Sequence, residues 1–228
     1  MGTVTSGLFG SISGKVGNVV FRKRGGKIYV ATIPGKRQSA KNANELEREK
    51  IFALTGKIST MINSIELLKY FWRPAAAKYQ SSYNLIFKKN YGELNIENLC
   101  GNVFMTPTDG FRLTDPSIYP GDTNLLIECK ALGDNSINNT NADKYVTAVG
   151  IIILKNPATE EMPLYKVIAF KSKKYLFYPN EYISLSVEFF GDQLMQYDHY
   201  SLKKVFAAFV TTDADDKPIQ HSITFTNK

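Results

Sequence analysis

Ile51, Leu54, Ile58, Met61, Ile65, Leu68 and Trp72 recur at spacings of 3, 4, 3, 4, 3 and 4 residues, an uninterrupted heptad seam. At 3.6 residues per turn, this spacing lines the seven side chains along one helical face, and that face needs an apolar cover. Two covers are open: the second arm of an antiparallel helical hairpin, or the same stripe on another copy. Asn44 is placed to cap the helix, with Glu47 at the capping-box position and Glu45 and Glu49 in the turns that the helix dipole favours. Pro74 is expected to break the helix. A second helical pattern over 75–90, with Tyr79, Tyr83, Ile86 and Phe87 on one side, ends at Tyr91-Gly92.

Upstream of the seam the chain cannot be a packed helix. Eight of its 16 glycines (Gly2, Gly7, Gly10, Gly14, Gly17, Gly25, Gly26 and Gly35) fall in residues 2–35. Residues 16–24 and 27–33 are two β-branched and aromatic runs carrying Phe21 and Tyr29. Gly25-Gly26 separates them, and glycine supplies the positive φ of a tight hairpin turn without steric cost. An isolated hairpin is marginal in water, so this one requires a sheet or a partner.

Past residue 100 the period changes to that of strands. Candidate strands span 101–105, 125–131, 145–154, 164–170, 175–178, 183–190, 205–211 and 222–226, punctuated by Asp109-Gly110, a polar run over 133–143, Asn156-Pro157, Gly191-Asp192 and an Asp-rich turn at 213–218. Short strands at this spacing predict an antiparallel immunoglobulin-like β-sandwich. The expected fold is α+β in three parts: a basic head with a β-hairpin (1–41), a helical hairpin (42–92) and the sandwich (93–228).

The formal net charge of +7 is unevenly divided. Residues 1–41 hold Lys15, Arg22, Lys23, Arg24, Lys27, Lys36, Arg37 and Lys41 and no acid, a charge of +8. From residue 93 onward 12 bases face 17 acids, giving −5 against +12 for residues 1–92. Such asymmetry calls for an acidic partner at the head. A nucleic-acid backbone would release counterions on binding, with Phe21 and Tyr29 interleaved for stacking on bases. The acidic half of a neighbouring copy would make a head-to-tail contact that closes into a ring or propagates as a filament.

The motifs for catalysis are incomplete. His199 and His221 lie in no Gly-x-Ser-x-Gly, His-Glu-x-x-His or Cys-His context. Gly10-Ser11-Ile12-Ser13-Gly14-Lys15 has three residues between its glycines where a phosphate loop has four, and Val16-Gly17 follows where the loop has Ser or Thr. The Asp213–Asp216 run lacks the glycine and distal glutamate of a calcium loop. Cys100 and Cys129 suit buried thiols better than a metal site or a disulfide scaffold. No motif calls for a cofactor or a metal. The first residues lack the charged start and apolar run of a secretion signal, and no apolar stretch is long enough to span a membrane, which predicts a soluble chain made in the cytoplasm.

Ser13-Gly14-Lys15-Val16-Gly17-Asn18-Val19-Val20-Phe21, Gly26-Lys27-Ile28-Tyr29-Val30 and Pro34-Gly35-Lys36-Arg37 resemble the head of an uncharacterised bacterial family known only as a domain of unknown function. Its members are similar in having a Gly-Lys-Val-Gly head, a helical stretch and a β-rich tail. Where they often carry Thr-Pro-Ala-Gln before the helix, this chain has Ser39-Ala40-Lys41-Asn42-Ala43-Asn44-Glu45. The resemblance implies a shared architecture and transfers no catalytic residue. The expectation is a non-enzymatic, self-assembling structural protein, such as a virion component or filament subunit. The alternative is a nucleic-acid-binding module using the basic hairpin.

Overall fold

A computed structural model of the chain describes residues 2–4, 14–24, 26–33, 35, 42–76, 80–94, 102–132 and 142–227. It divides into two compact units, Met1–Glu47 and Arg48–Lys228.

The first unit is built on four antiparallel strands, β1 (Gly2–Val4), β2 (Gly14–Val16), β3 (Val19–Arg24) and β4 (Lys27–Thr32), in the order β1-β4-β3-β2. β3 pairs with β4 from Val19↔Thr32 to Arg24↔Lys27, and β2 pairs with β3 from Gly14↔Phe21 to Val16↔Val19. The single strand expected over 16–24 is therefore interrupted at Gly17-Asn18. Gly17 has φ +56°, a left-handed conformation that glycine adopts without a Cβ penalty, and the chain reverses there. Gly26 has φ +79°; Gly25, Lys36 and Arg37 lie outside the described residues.

Helix α1 (Ala43–Ser64) is capped by Asn42, whose Oδ1 accepts from the Glu45 N–H at 2.8 Å, so the cap lies two residues before the expected Asn44. The heptad seam does not run along one helix. α1 stops at Ser64, α2 (Glu66–Ala75) starts after Ile65, and the two are bent by 103°. Ser64 Oγ donates to the Met61 carbonyl at 2.7 Å, and Ile65 takes extended dihedrals, so the α1 backbone ladder ends there. Pro74 lies in the last turn of α2, and α3 (Ser82–Asn90) is capped by Ser81. Leu54, Ile58, Ile65, Leu68 and Trp72 remain buried across the break, with Ile51 and Met61 packed against them.

The strands of the second unit are β5 (Ser117–Pro120), β6 (Asn124–Cys129), β7 (Tyr145–Pro157), β8 (Tyr165–Lys171), β9 (Tyr175–Leu176), β10 (Ile183–Glu188), β11 (Tyr200–Thr212), β12 (Pro218–His221) and β13 (Phe225–Thr226), with helix α4 (Asp192–Asp198) before β11. A six-stranded antiparallel sheet runs β12-β11-β7-β8, with β13 on β11 and β9 on β7; a three-stranded sheet runs β10-β6-β5. β7 and β11 pair from Tyr145↔Thr212 to Tyr200↔Pro157.

Successive residues of a strand point to opposite faces. Val146, Ala148, Ile152 and Leu154 share a core with Leu125, Ile127, Leu185 and Val187 of the smaller sheet. Val149, Ile151 and Ile153 share the other core with the seam of α1 and α2. The large sheet is thus covered on both faces, and from Arg48 onward the helices and the sheets form one compact unit. The chain is mixed α+β with antiparallel sheets.

Two polar side chains fix the helices to the segment after residue 102. Trp72 Nε1 donates to the Met105 carbonyl at 2.7 Å. Asn90 Nδ2 donates to the Phe104 carbonyl at 3.1 Å, while its Oδ1 accepts from the Phe104 N–H at 2.8 Å, so one amide completes both backbone valences of Phe104.

Candidate functional site

The register of the N-terminal sheet sorts its residues into two unlike faces. Cross-strand partners share a face. Val16↔Val19↔Thr32, Phe21↔Val30 and Lys23↔Ile28 lie on one side; Lys15↔Val20↔Ala31 and Arg22↔Tyr29 lie on the other, with Lys27 two residues from Tyr29 on the same strand. One face is therefore apolar except for Lys23 and Thr32 near its ends. The opposite face gathers Lys15, Arg22 and Lys27 around Tyr29. Arg24 is in register with Lys27.

Among the described residues of Gly14–Thr32, every one is exposed or only partly covered, and Val16 is 61 % exposed. Among the residues whose burial is described, the sheet holds its backbone hydrogen bonds but has no interior. Valine, phenylalanine and isoleucine left in water are unfavourable by roughly 25 cal/mol per Å² of exposed apolar area, so the apolar face favours a cover.

The helix seam is different. Leu54, Ile58, Leu68 and Trp72 are all under 4 % exposed and are covered by the large sheet of the same chain. Of the two covers the spacing left open, the structure supplies one from within the chain: the large sheet together with α3, whose Ile86 shares the seam's core and whose Phe87 ring lies 4.9 Å from that of Phe52 on α1.

His221, Asp213 and Cys129 take part in packing and turns, and Cys100 lies outside the described residues. His221 Nε2 faces Asp109 Oδ1 at 3.4 Å, its Nδ1 lies 3.2 Å from the Ser222 carbonyl, and the Phe71 ring packs on it at 4.5 Å. Burial pushes its pKa down, against the opposing pull of Ser222 and Asp109. Both ring nitrogens thus have neighbours that are not nucleophiles. Asp213 Oδ1 accepts from the backbone of Asp215 and Lys217 and closes the β11–β12 turn. Cys129 is a buried free thiol whose pKa burial raises. Tyr197, stacked on Phe189, has its pKa pushed up to about 12 by burial and by Asp122 and Asp198. Among the described residues no group of three or more His, Cys, Asp or Glu could hold a metal ion, and no single helix is long and apolar enough to cross a membrane.

A feature with no sequence signal lies where the helical cover of the large sheet stops. On the helix-facing side, Phe206, Ala208 and Val210 of β11 are core, and alternation makes Thr212 the next residue on that side; on β7, Val149 gives way to Thr147. These threonines line an open cleft of about 770 Å³ with Ile65, Leu67, Lys171 and Lys173. Thr212 is 2 % exposed and its Oγ1 has no hydrogen-bond partner. Thr147, Lys171 and Thr212 are far apart in sequence, and only the β8-β7-β11 register brings them together. A smaller cleft of about 270 Å³, lined by Val103, Phe206 and Phe225 among others, is mainly apolar.

No protein-family model, curated protein or solved structure matches the chain.

Proposed function

We propose that this chain is a non-enzymatic structural protein that assembles with copies of itself, as a filament subunit or virion component, through its basic N-terminal sheet and hairpin. The carrying observation is the two-faced sheet without a buried residue among those described. Apolar side chains left exposed on a sheet face are unfavourable in water, and burying them against a partner is stabilising. A second copy is the favoured cover on charge grounds, because the +8 of residues 1–41 complements the −5 of the chain from residue 93 onward. A contact between unlike surfaces repeats head to tail. In this account the two packed sheets of the second unit, as an immunoglobulin-like sandwich, form the outward body of each subunit.

Size-exclusion chromatography with light scattering at low salt tests the role of the head. Full-length protein is expected to form concentration-dependent oligomers, and a chain lacking residues 1–41 to remain monomeric. Monomers of both at every concentration would remove the proposal.

One observation favours a second reading, a nucleic-acid-binding module: Lys15, Arg22 and Lys27 share a face with Tyr29, a composition suited to phosphates and stacked bases. That reading predicts single-strand binding whose affinity falls steeply with salt, and a flat titration at low salt rejects it.

A further inference from the structure

We propose that the cleft between the start of α2 and strands β7, β8 and β11 is a binding site for a phosphate-type oxyanion. It shares no residue with the N-terminal sheet and stands apart from the assembly reading.

The first wall is the start of a ten-residue helix. Ile65 occupies its N-cap and makes no side-chain capping bond, and Ile65, Glu66 and Leu67 line the cleft. The first N–H groups of a helix have no partner within it, and with the helix dipole they favour an anion.

The second observation is independent of the helix. Thr212 lines the same cleft, is 2 % exposed, and has a hydroxyl with no partner. A buried hydroxyl left unpaired is costly, and here it belongs to a residue of the cleft wall.

The charges in the cleft point the same way. Its acids are Glu66, Glu188 and Asp216, and its bases Lys171, Lys173 and Lys174. Glu66 pairs with Lys69 at 3.1 Å, outside the lining. Lys174 pairs with Asp216 and lies over the Tyr145 ring at 4.4 Å. With those pairs made, Lys171 and Lys173 face Glu188. The volume of about 770 Å³ falls within the range of small-molecule sites, so the anion can be inorganic phosphate or the phosphate of a small ester.

Isothermal titration calorimetry of the full-length protein with inorganic phosphate, and separately with glucose 6-phosphate, tests this. The expected result is saturable binding near one per chain, weakened at least about tenfold by Thr212→Val, as loss of one hydrogen bond to a charged group dictates, and also by Lys171→Ala with Lys173→Ala. The triple variant Lys15→Ala, Arg22→Ala, Lys27→Ala should bind like the parent. Tighter binding of the ester assigns the site to a phosphorylated small molecule, and equal binding assigns it to the free anion. Absence of saturable binding by either probe, or binding that survives both cleft variants, would overturn the proposal and leave the assembly reading standing.

Discussion

The ring of Phe170 lies across the backbone of Gly150, its cross-strand partner, so closely that a Cβ on Gly150 would come within 2.2 Å of the ring's ζ carbon. On the neighbouring strand the Phe206 carbonyl would be 2.3 Å from the same Cβ. Gly150 thus sits at the centre of the large sheet because an aromatic ring fills the space that its side chain would take.

Gly150→Ala should therefore destabilise the second unit by about 1–3 kcal/mol, the usual cost of overpacking a core. Phe170→Leu in the same chain should return part of that loss, because it removes one of the two clashes. Urea unfolding of the two single variants and the double variant gives the coupling. Additive effects would mean that the ring does not depend on the missing Cβ.

Asn90→Leu should cost about 1–3 kcal/mol, because it leaves the N–H and carbonyl of Phe104 without their side-chain partner. Hydrogen exchange is the sharper probe. The Phe104 amide should lose protection while Ile151 in the middle of β7 keeps it.

His221 makes stability depend on pH. Its folded pKa lies below the ordinary value of 6.5 because burial disfavours the charged ring. The unfolded chain then takes up a proton more readily than the folded one. The contribution is fully present above pH 6.5 and is lost as pH falls toward the lowered folded value. Melting temperatures measured from pH 7 downward should fall less steeply for His221→Phe than for the parent, and equal slopes would exclude the buried ring as the cause.

Thr212→Val should stabilise the unliganded protein by about 1–2 kcal/mol while weakening phosphate binding at least about tenfold. The hydroxyl has no partner in the folded chain, and its removal relieves a desolvation cost. A thermal melt without phosphate checks the first half. A destabilised variant would mean that the hydroxyl is already hydrogen-bonded.

How far these features were legible in the sequence depends on the distance over which each is encoded. The seam is local, and its spacing marked the residues that are buried. It did not mark the 103° bend at Ile65, because Leu68 and Trp72 keep heptad register across the break. Val146–Leu154 is buried throughout, and such an unbroken apolar run signals a strand covered on both faces. The expected sandwich, set apart from the helices, did not include a helical layer on that sheet. In the head, the sequence reading set both Phe21 and Tyr29 among the bases, and strand register puts Phe21 on the face opposite Arg22 and Tyr29; the reversal at Gly17-Asn18 depended on one glycine at φ +56°. The cleft was not legible, since strand register alone joins Thr147, Lys171 and Thr212.

The central claim is that the apolar face of the N-terminal sheet is covered by another copy. Sedimentation velocity over a range of concentrations at low salt measures it directly, comparing the parent with Phe21→Glu plus Val30→Glu on the apolar face. The account predicts that the parent shifts to larger species as concentration rises while the apolar-face variant stays monomeric. A parent that sediments as an unchanging monomer, or a variant that assembles as well as the parent, would contradict it.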